Sequence, residues 1–367
     1  MNRIYNSLIK SIGALALTGL AACDYIHDDS LEPCEYRLRL VYDYNMKFAD
    51  AFGHEVTKAA LFICDNKGNF IRRQDIEGAE LKANDIAMDL KPGTYQVLTW
   101  AGLDDSSYQW PELTPGSSTI EEIRVKTLRE ADATQPNELT PLWHALDTLV
   151  VTGDRHEEKE ISLAKNTNKL RVVLQDTEGY SMDVRDFSFR IVADNGYMDY
   201  DNALLDDPAI TYLPYHTESV DIAAGADDDD LINGKPANQY VAVAELNTRR
   251  LMAGENYRLI VRHKDWEDDV LNVNLNQYLL LTQMEGHNIS AQEYLDRQDE
   301  YSIVFFLTPF VCPHCPDPEP EPEPEPDPKP DPDPDPEIPE PDVPIVGYAC
   351  YKIQVKDWII RINSGEL

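Results

Sequence analysis

A mainly β chain, folded as two antiparallel β-sandwich domains, is what this sequence predicts, and three observations carry the expectation. Apolar residues recur with a period of two, as in Tyr36, Leu38, Leu40 and Tyr42 with Arg37 and Arg39 between them, which is the mark of a half-buried strand. Such runs are short and are bounded by Gly, Pro, Asn and Asp clusters, among them Asp65-Asn66-Lys67-Gly68-Asn69 and Pro92-Gly93, residues that accept turn geometry. The chain has 367 residues, enough to fill two ordinary cores. Its formal net charge of −35 repels nucleic acid and anionic surfaces, so no nucleic-acid partner is expected.

Taken in order, Arg3 and Lys10 precede an apolar run from Ile12 to Leu20 and then two alanines. That is the layout of a secretory signal over residues 1–22. The run falls well short of the roughly 20 residues that cross a bilayer. Leu20-Ala21-Ala22-Cys23 resembles the bacterial lipobox, in which the cysteine thiol is diacylated, the preceding peptide is removed and the new amino terminus is acylated. Cys23 is therefore the expected lipid attachment residue. The alternative is an ordinary signal peptide with a cysteine beside its cleavage site. Each buried lipid CH₂ contributes about 0.8 kcal/mol, so two or three acyl chains would hold the protein on a membrane without spanning it. Residues 23–35 are polar and acidic and read as a tether. They resemble the sorting signal that sends lipoproteins of Bacteroidia-type bacteria to the outer leaflet of the outer membrane; a solvated spacer is the equal alternative.

The first sandwich is expected over residues 36–164. Strands are read at Tyr36–Tyr42, Ala59–Cys64, Phe70–Arg72, Tyr95–Ala101, Ile123–Leu128 and Thr148–Thr152. Asp65–Asn69 is read as a hairpin loop, and Lys91-Pro92-Gly93-Thr94 as a type II turn with Gly93 supplying the positive φ.

Several stretches carry a family resemblance. Val41-Tyr42-Asp43-Tyr44-Asn45-Met46, the strand-turn-strand around Asp65, Pro92-Gly93-Thr94-Tyr95 leading to Trp100-Ala101-Gly102, and Leu142-Trp143-His144 are similar to the fimbrillin-associated anchor family (FimB type). So are Lys165-Asn166-Thr167-Asn168 before Leu170–Leu174, Glu293–Arg297 before Tyr301–Leu307, and the tail around Trp358. The resemblance implies transthyretin-like β-sandwich domains on a surface-exposed outer-membrane lipoprotein. It further implies a place at the base of a fimbrium, a part in adhesion and fimbrial subunits (pilins) as partner; binding is expected by strand pairing, in which main-chain hydrogen bonds supply affinity and alternating side chains supply specificity.

A charged interruption, Gly153–Glu160, is expected to separate the domains. The second sandwich is assigned to residues 165–311 plus 345–367. Phe187, Phe189 and Ile191 alternate there, and Ser290-Ala291-Gln292-Glu293 has the spacing of a capping box that starts a helix through Arg297. Ala226 to Asp230 lacks the alternating ligands and glycine of a calcium loop, and no metal is assigned. Every second residue from Pro316 to Pro336 is proline, and twelve acids face the single Lys329 between Asp317 and Asp342. Residues 312–344 are therefore read as an extended polyproline II insertion, with the last strand returning to pair along Ser302–Leu307.

Of six cysteines, Cys23 is claimed by lipid and the remaining five cannot all pair within one chain. Cys312-Pro313-His314-Cys315 resembles a redox centre, yet the surrounding prolines forbid the helix that lowers the first thiol's pKa. A structural disulfide among Cys312, Cys315 and Cys350 is the favoured reading, and zinc would need a fourth ligand. No Gly-x-Ser-x-Gly elbow, phosphate loop or His-Glu-x-x-His helix occurs, so no enzyme, catalytic residue or cofactor is assigned. His144 and His216 are read as packing or surface residues. The alternative to an anchor is a glycan-binding surface lipoprotein of a polysaccharide-uptake system, with Trp110, Trp143 and Trp266 as stacking platforms. A secreted hydrolase ranks third.

Overall fold

The computed structural model describes residues 35–153, 155–222, 239–284, 288–311, 345–355 and 358–361. The signal peptide, Cys23, the tether, the aspartate run, Cys312, Cys315 and the proline tract lie outside these residues. Strands dominate. In chain order they are β1 (Tyr36–Tyr44), β2 (Lys58–Asp65), β3 (Phe70–Glu77), β4 (Ile86–Met88), β5 (Gly93–Ala101), β6 (Tyr108–Gln109), β7 (Val125–Thr127), β8 (Thr134–Gln135), β9 (Trp143–Val151) and β10 (Glu157–Lys165). Then follow β11 (Thr167–Asp176), β12 (Phe187–Ala193), β13 (Tyr197–Met198), β14 (Ile210–Tyr212), β15 (His216–Asp221), β16 (Tyr240–Arg249), β17 (Arg258–His263), β18 (Asp269–Asn274), β19 (Glu300–Val311), β20 (Ile345–Val355) and β21 (Trp358–Arg361). Among the described residues four short α-helices interrupt them: α1 (Phe52–Glu55), α2 (Gly78–Ala83), α3 (Leu275–Leu279) and α4 (Ala291–Arg297).

The first half is organised by a seven-stranded sheet in the order β3-β2-β5-β9-β10-β1-β4. Both faces of its centre are covered, which is why β2 is buried along almost its whole length instead of alternating. Leu61 and Ile63 join Leu38, Leu40, Val97, Leu149 and Ile161 on one side. Ala60, Phe62 and Cys64 join Leu98, Trp100 and Tyr108 on the other, beneath a small sheet of β13, β7 and β6. In the second half a six-stranded sheet, β15-β16-β11-β19-β20-β21, and a five-stranded one, β18-β17-β12-β14-β8, share one core. Val172, Leu246, Phe305 and Ile353 of the first meet Phe189, Ile191, Leu259 and Val273 of the second there.

Most neighbours are antiparallel, but the β1–β10, β11–β19 and β14–β8 pairs are parallel, so the sheets are mixed. A period of two is the same in either orientation and could not reveal this. Two small pairings also join segments far apart in the chain: β7 with β13, and β8 with β14.

Local expectations fare unevenly, each for a physical reason. The Asp65–Asn69 loop closes the β2–β3 hairpin, with Gly68 at φ 84° and the Asp65 carboxylate accepting from the Lys67 and Asn69 amides. The type II turn at Lys91–Thr94 does not form, because Gly93 is already the first residue of β5, paired with Val151. The positive φ sits across the sheet on Gly153, where an added Cβ would lie 2.5 Å from the Pro92 ring. The charged interruption is shorter than expected, since β10 begins at Glu157 and its acids fit a strand by ion pairing: Glu160 meets Arg39 at 3.1 Å and Lys159 meets Asp147 at 2.7 Å. The Ser290 hydroxyl caps α4 by accepting from the Glu293 amide. The Glu293 carboxylate turns outward to Arg297, at 2.8 Å.

Candidate functional site

The surface that stands out is the free end of the β19–β20 hairpin. β19 pairs with β11 only as far as Leu307, opposite Asp176, although β19 runs on to Val311. Pro309 accounts for the end of that pairing, because proline has no N–H to give a neighbour and is confined to strand edges. On its outer side, β20 is covered by β21 only from Lys352 to Val355. Over Ile345–Tyr351 no strand lies beside that outer edge among the described residues. The hairpin thus projects from the sheet as a two-stranded ribbon.

The ribbon carries three exposed large apolar side chains: Phe310, Val346 and Tyr351, at 55%, 52% and 51% exposure. Val346 and Tyr351 fall at the two register shifts of β20 against β19, where a bulge turns a side chain out of the normal alternation. Phe310 lies over Gly347, whose missing side chain leaves room for the ring. At the base, Tyr348 packs against Trp266 and Phe187, at 5.4 and 6.1 Å between ring centroids. Trp266 in turn stacks on His263 at 4.0 Å. The base is therefore fixed to the second core, while among the described residues none covers the exposed side chains of the tip.

A second surface centres on Trp110, which follows β6. On one side lies a groove of about 520 Å³ lined by Glu121, Glu122, Arg124, Lys126 and Tyr197. On the other are hollows of about 290 and 310 Å³ that share Arg73, whose guanidinium sits 5.5 Å from the Trp110 ring centre. Lys58 and Ser106 hold the pKa of the Asp104 carboxyl down at about 2, so it is ionised at the wall of the 290 Å³ hollow. The half-buried indole is flanked by carboxylates and cations, and the part of it that reaches the groove can stack on a sugar ring while these groups bond its hydroxyls.

The other residues singled out from sequence have structural places. Trp143 is buried beneath Tyr42 and cannot be a platform. His144 is buried with Nε2 2.8 Å from the Tyr200 carbonyl, and burial lowers its pKa to about 4, so it is neutral. His216 is exposed, 3.8 Å from Glu218. Cys64 and Cys350 are buried thiols, pushed up by burial to about 11 and about 12. Among the described residues no three metal-binding side chains cluster, and no helix is long and apolar enough to cross a membrane. Sequence reasoning missed the ribbon tip because the strand was read to end at Leu307; Phe306, Thr308 and Phe310 continue the alternation past that point.

Comparison with known proteins gives these surfaces a context. The family model of the fimbrillin-A associated anchor proteins Mfa1 and Mfa2 matches residues 31–364. No curated protein sequence matches. Among solved structures, a candidate polysaccharide-binding protein of Bacteroides thetaiotaomicron is 30% identical with a TM-score of 0.70, the match covering 90% of this chain and 99% of the other. A candidate adhesin of the same organism is 29% identical, at a TM-score of 0.69 over 91% and 100% of the two chains. The fimbrial anchor protein Mfa2 of Porphyromonas gingivalis has the same fold at 17% identity, with a TM-score of 0.61 over 90% and 100%.

Proposed function

The chain belongs to the fimbrillin-A associated anchor proteins, and from that membership we propose that it is a lipid-anchored fimbrial anchor or minor subunit. Cys23 carries the acyl chains that hold it on the outer membrane, the folded part faces the cell surface, and fimbrial subunits add a strand to it. The observation that carries the strand-pairing reading is the outer edge of β20, Ile345–Tyr351, which offers backbone N–H and C=O groups beside exposed Val346, Phe310 and Tyr351. An open edge templates another strand: the main chain supplies affinity and alternate side chains supply specificity. Proteins that do not use such an edge blunt it with charge. Here Val346→Lys with Tyr351→Lys imposes that charge. The double variant should keep the melting temperature of the wild type and lose at least about tenfold in capture of fimbrial subunits, one charge per apolar contact being a large fraction of a strand's affinity. A deletion strain whose fimbriae stay attached, at normal length and number, would overturn the anchor role.

The Trp110 groove favours one further reading, a glycan-binding surface lipoprotein. Its separate test is binding of soluble polysaccharide to the purified protein, which Trp110→Ala should abolish. Unchanged binding by that variant removes the groove from consideration.

A further inference from the structure

Arg249, the last residue of β16, is the only lysine or arginine that is wholly enclosed among the described residues. Its backbone is firmly placed. The strand pairs it with Thr167, and its carbonyl accepts from the side-chain amides of Asn168 and Asn195, each at 3.1 Å. The side chain runs into the seam between the small β6–β7–β13 sheet and the second core. There the guanidinium lies 5.0 Å from the centre of the Tyr108 ring. Nε and both terminal nitrogens are buried without a hydrogen-bond partner.

The contrast with the next most enclosed cations is plain. Lys165 holds Glu55 and Asp299, Arg129 holds Asp207, Arg297 holds Glu293, and Arg250, the very next residue, holds Asp296 through two bonds of 2.7 and 2.8 Å. Each has a carboxylate, and Arg249 has none. A guanidinium does not lose its proton in a protein, so its charge must be met. The groups nearest to it electrostatically are the phenols of Tyr108 and Tyr212. Burial pushes both well above the ordinary tyrosine range, so they are neutral, and both hydroxyl protons are already given away, to the Thr140 carbonyl and to Asn195 Oδ1. Among the described residues, therefore, none supplies a counter-charge. A buried charge left alone is among the costliest arrangements in a fold.

We propose that Arg249 holds a small monoatomic anion of the chloride class at this seam, bound by the guanidinium N–H groups and closed off from bulk water. The enclosure excludes a carboxylate offered by another macromolecule, since no part of the side chain reaches the surface. A cation–π contact alone orients the guanidinium but leaves its N–H groups undirected. An anion satisfies both charge and N–H, and it ties Tyr108 of the first half to β16 of the second.

The test is a thermal melt of the mature full-length protein in sodium gluconate, with chloride replacing gluconate at constant ionic strength. A bound ion stabilises by mass action, so the melting temperature should rise by about 5 °C and saturate. Arg249→Met, which removes the charge, should abolish that response. Should the variant fail to fold, wild-type crystals grown in bromide decide the matter: an anomalous peak is expected within hydrogen-bonding reach of the Arg249 guanidinium. A melting temperature indifferent to chloride together with no such peak overturns the proposal and leaves Arg249 to Tyr108 and water. A chloride response that persists in Arg249→Met places the ion elsewhere and overturns it equally.

Discussion

Gly102 has a backbone φ of 80°, and a Cβ built on it would stand 1.9 Å from the Pro141 carbonyl oxygen. Two penalties therefore add in Gly102→Ala, the left-handed conformation and a clash with backbone that cannot swing aside, for a loss of about 2–5 kcal/mol. A denaturant titration measures it, and Gly53→Ala is the control, since nothing lies within 4 Å of that position. Neither the Trp100-Ala101-Gly102 triplet nor its neighbours announce the difference, because the obstructing atom belongs to a segment forty residues away. His144 makes a pH-dependent contribution. Its imidazole titrates at the ordinary value of 6.5 in the unfolded chain and at about 4 in the fold, the burial beneath Trp100 disfavouring the charged form. Below pH 6.5 the unfolded state therefore binds a proton that the folded state refuses. Stability contributed by this group is whole above pH 6.5 and falls by about 1.4 kcal/mol per pH unit down to pH 4, about 3 kcal/mol in all. The His144→Gln variant should lose this component of the slope, as unfolding free energies measured at intervals from pH 7.5 to 4 would reveal.

At the scale of elements, the C-terminal hairpin separates what the core needs from what it does not. Val311 and Ile345 are directly paired, so the intervening residues join two positions already held together. Deleting Pro316 to Pro341 shortens that connection by about two doublings of length, worth about 1 kcal/mol, and the melting temperature should barely move. Truncation from Tyr351 onward removes Ile353 and Val355, both fully buried against the six-stranded sheet's core. At about 1.5–3 kcal/mol per side chain, with the β19 pairing lost as well, the cost is on the order of 5 kcal/mol, comparable with the whole stability of a marginal domain. A truncated chain that melts with the full-length protein would remove β20 from the core. The long strands were legible in the sequence because one covered face imposes a period of two, and the return of β20 to β19 was legible from the same pattern in Ile353 and Val355. The two- and three-residue strands β6, β7, β8 and β13 were not, since they are too short to show any period. The ribbon's open edge was legible only in Pro309; where β11 and β21 stop is a matter of topology, not of local pattern.

For the molecule as a whole, the proposed membrane attachment rests on Cys23 as its lipid site, and on that reading Cys23→Ala should either release the protein from the outer membrane or leave it unprocessed. Fractionation that finds the variant cleaved and retained like the wild type would reject the lipid anchor. The mainly β strand content was readable in advance. Arg249 and its seam were not, because Tyr108, Tyr212 and Arg249 come from three separate parts of the chain and carry no shared motif. The parallel pairing of β1 with β10, from Tyr36 opposite Glu157 to Tyr44 opposite Ala164, has a mechanical consequence. β1 lies inside the sheet with β4 on its other flank, and traction arriving through residue 35 pulls along its length. Rungs loaded in that direction share the force and must yield together, whereas a hairpin pulled apart at its open end gives way one rung at a time. A tugging load on the amino terminus therefore meets the stiffest direction of the seven-stranded sheet, and single-molecule extension from that end should rupture the domain at a higher force than extension that peels β20 from β19.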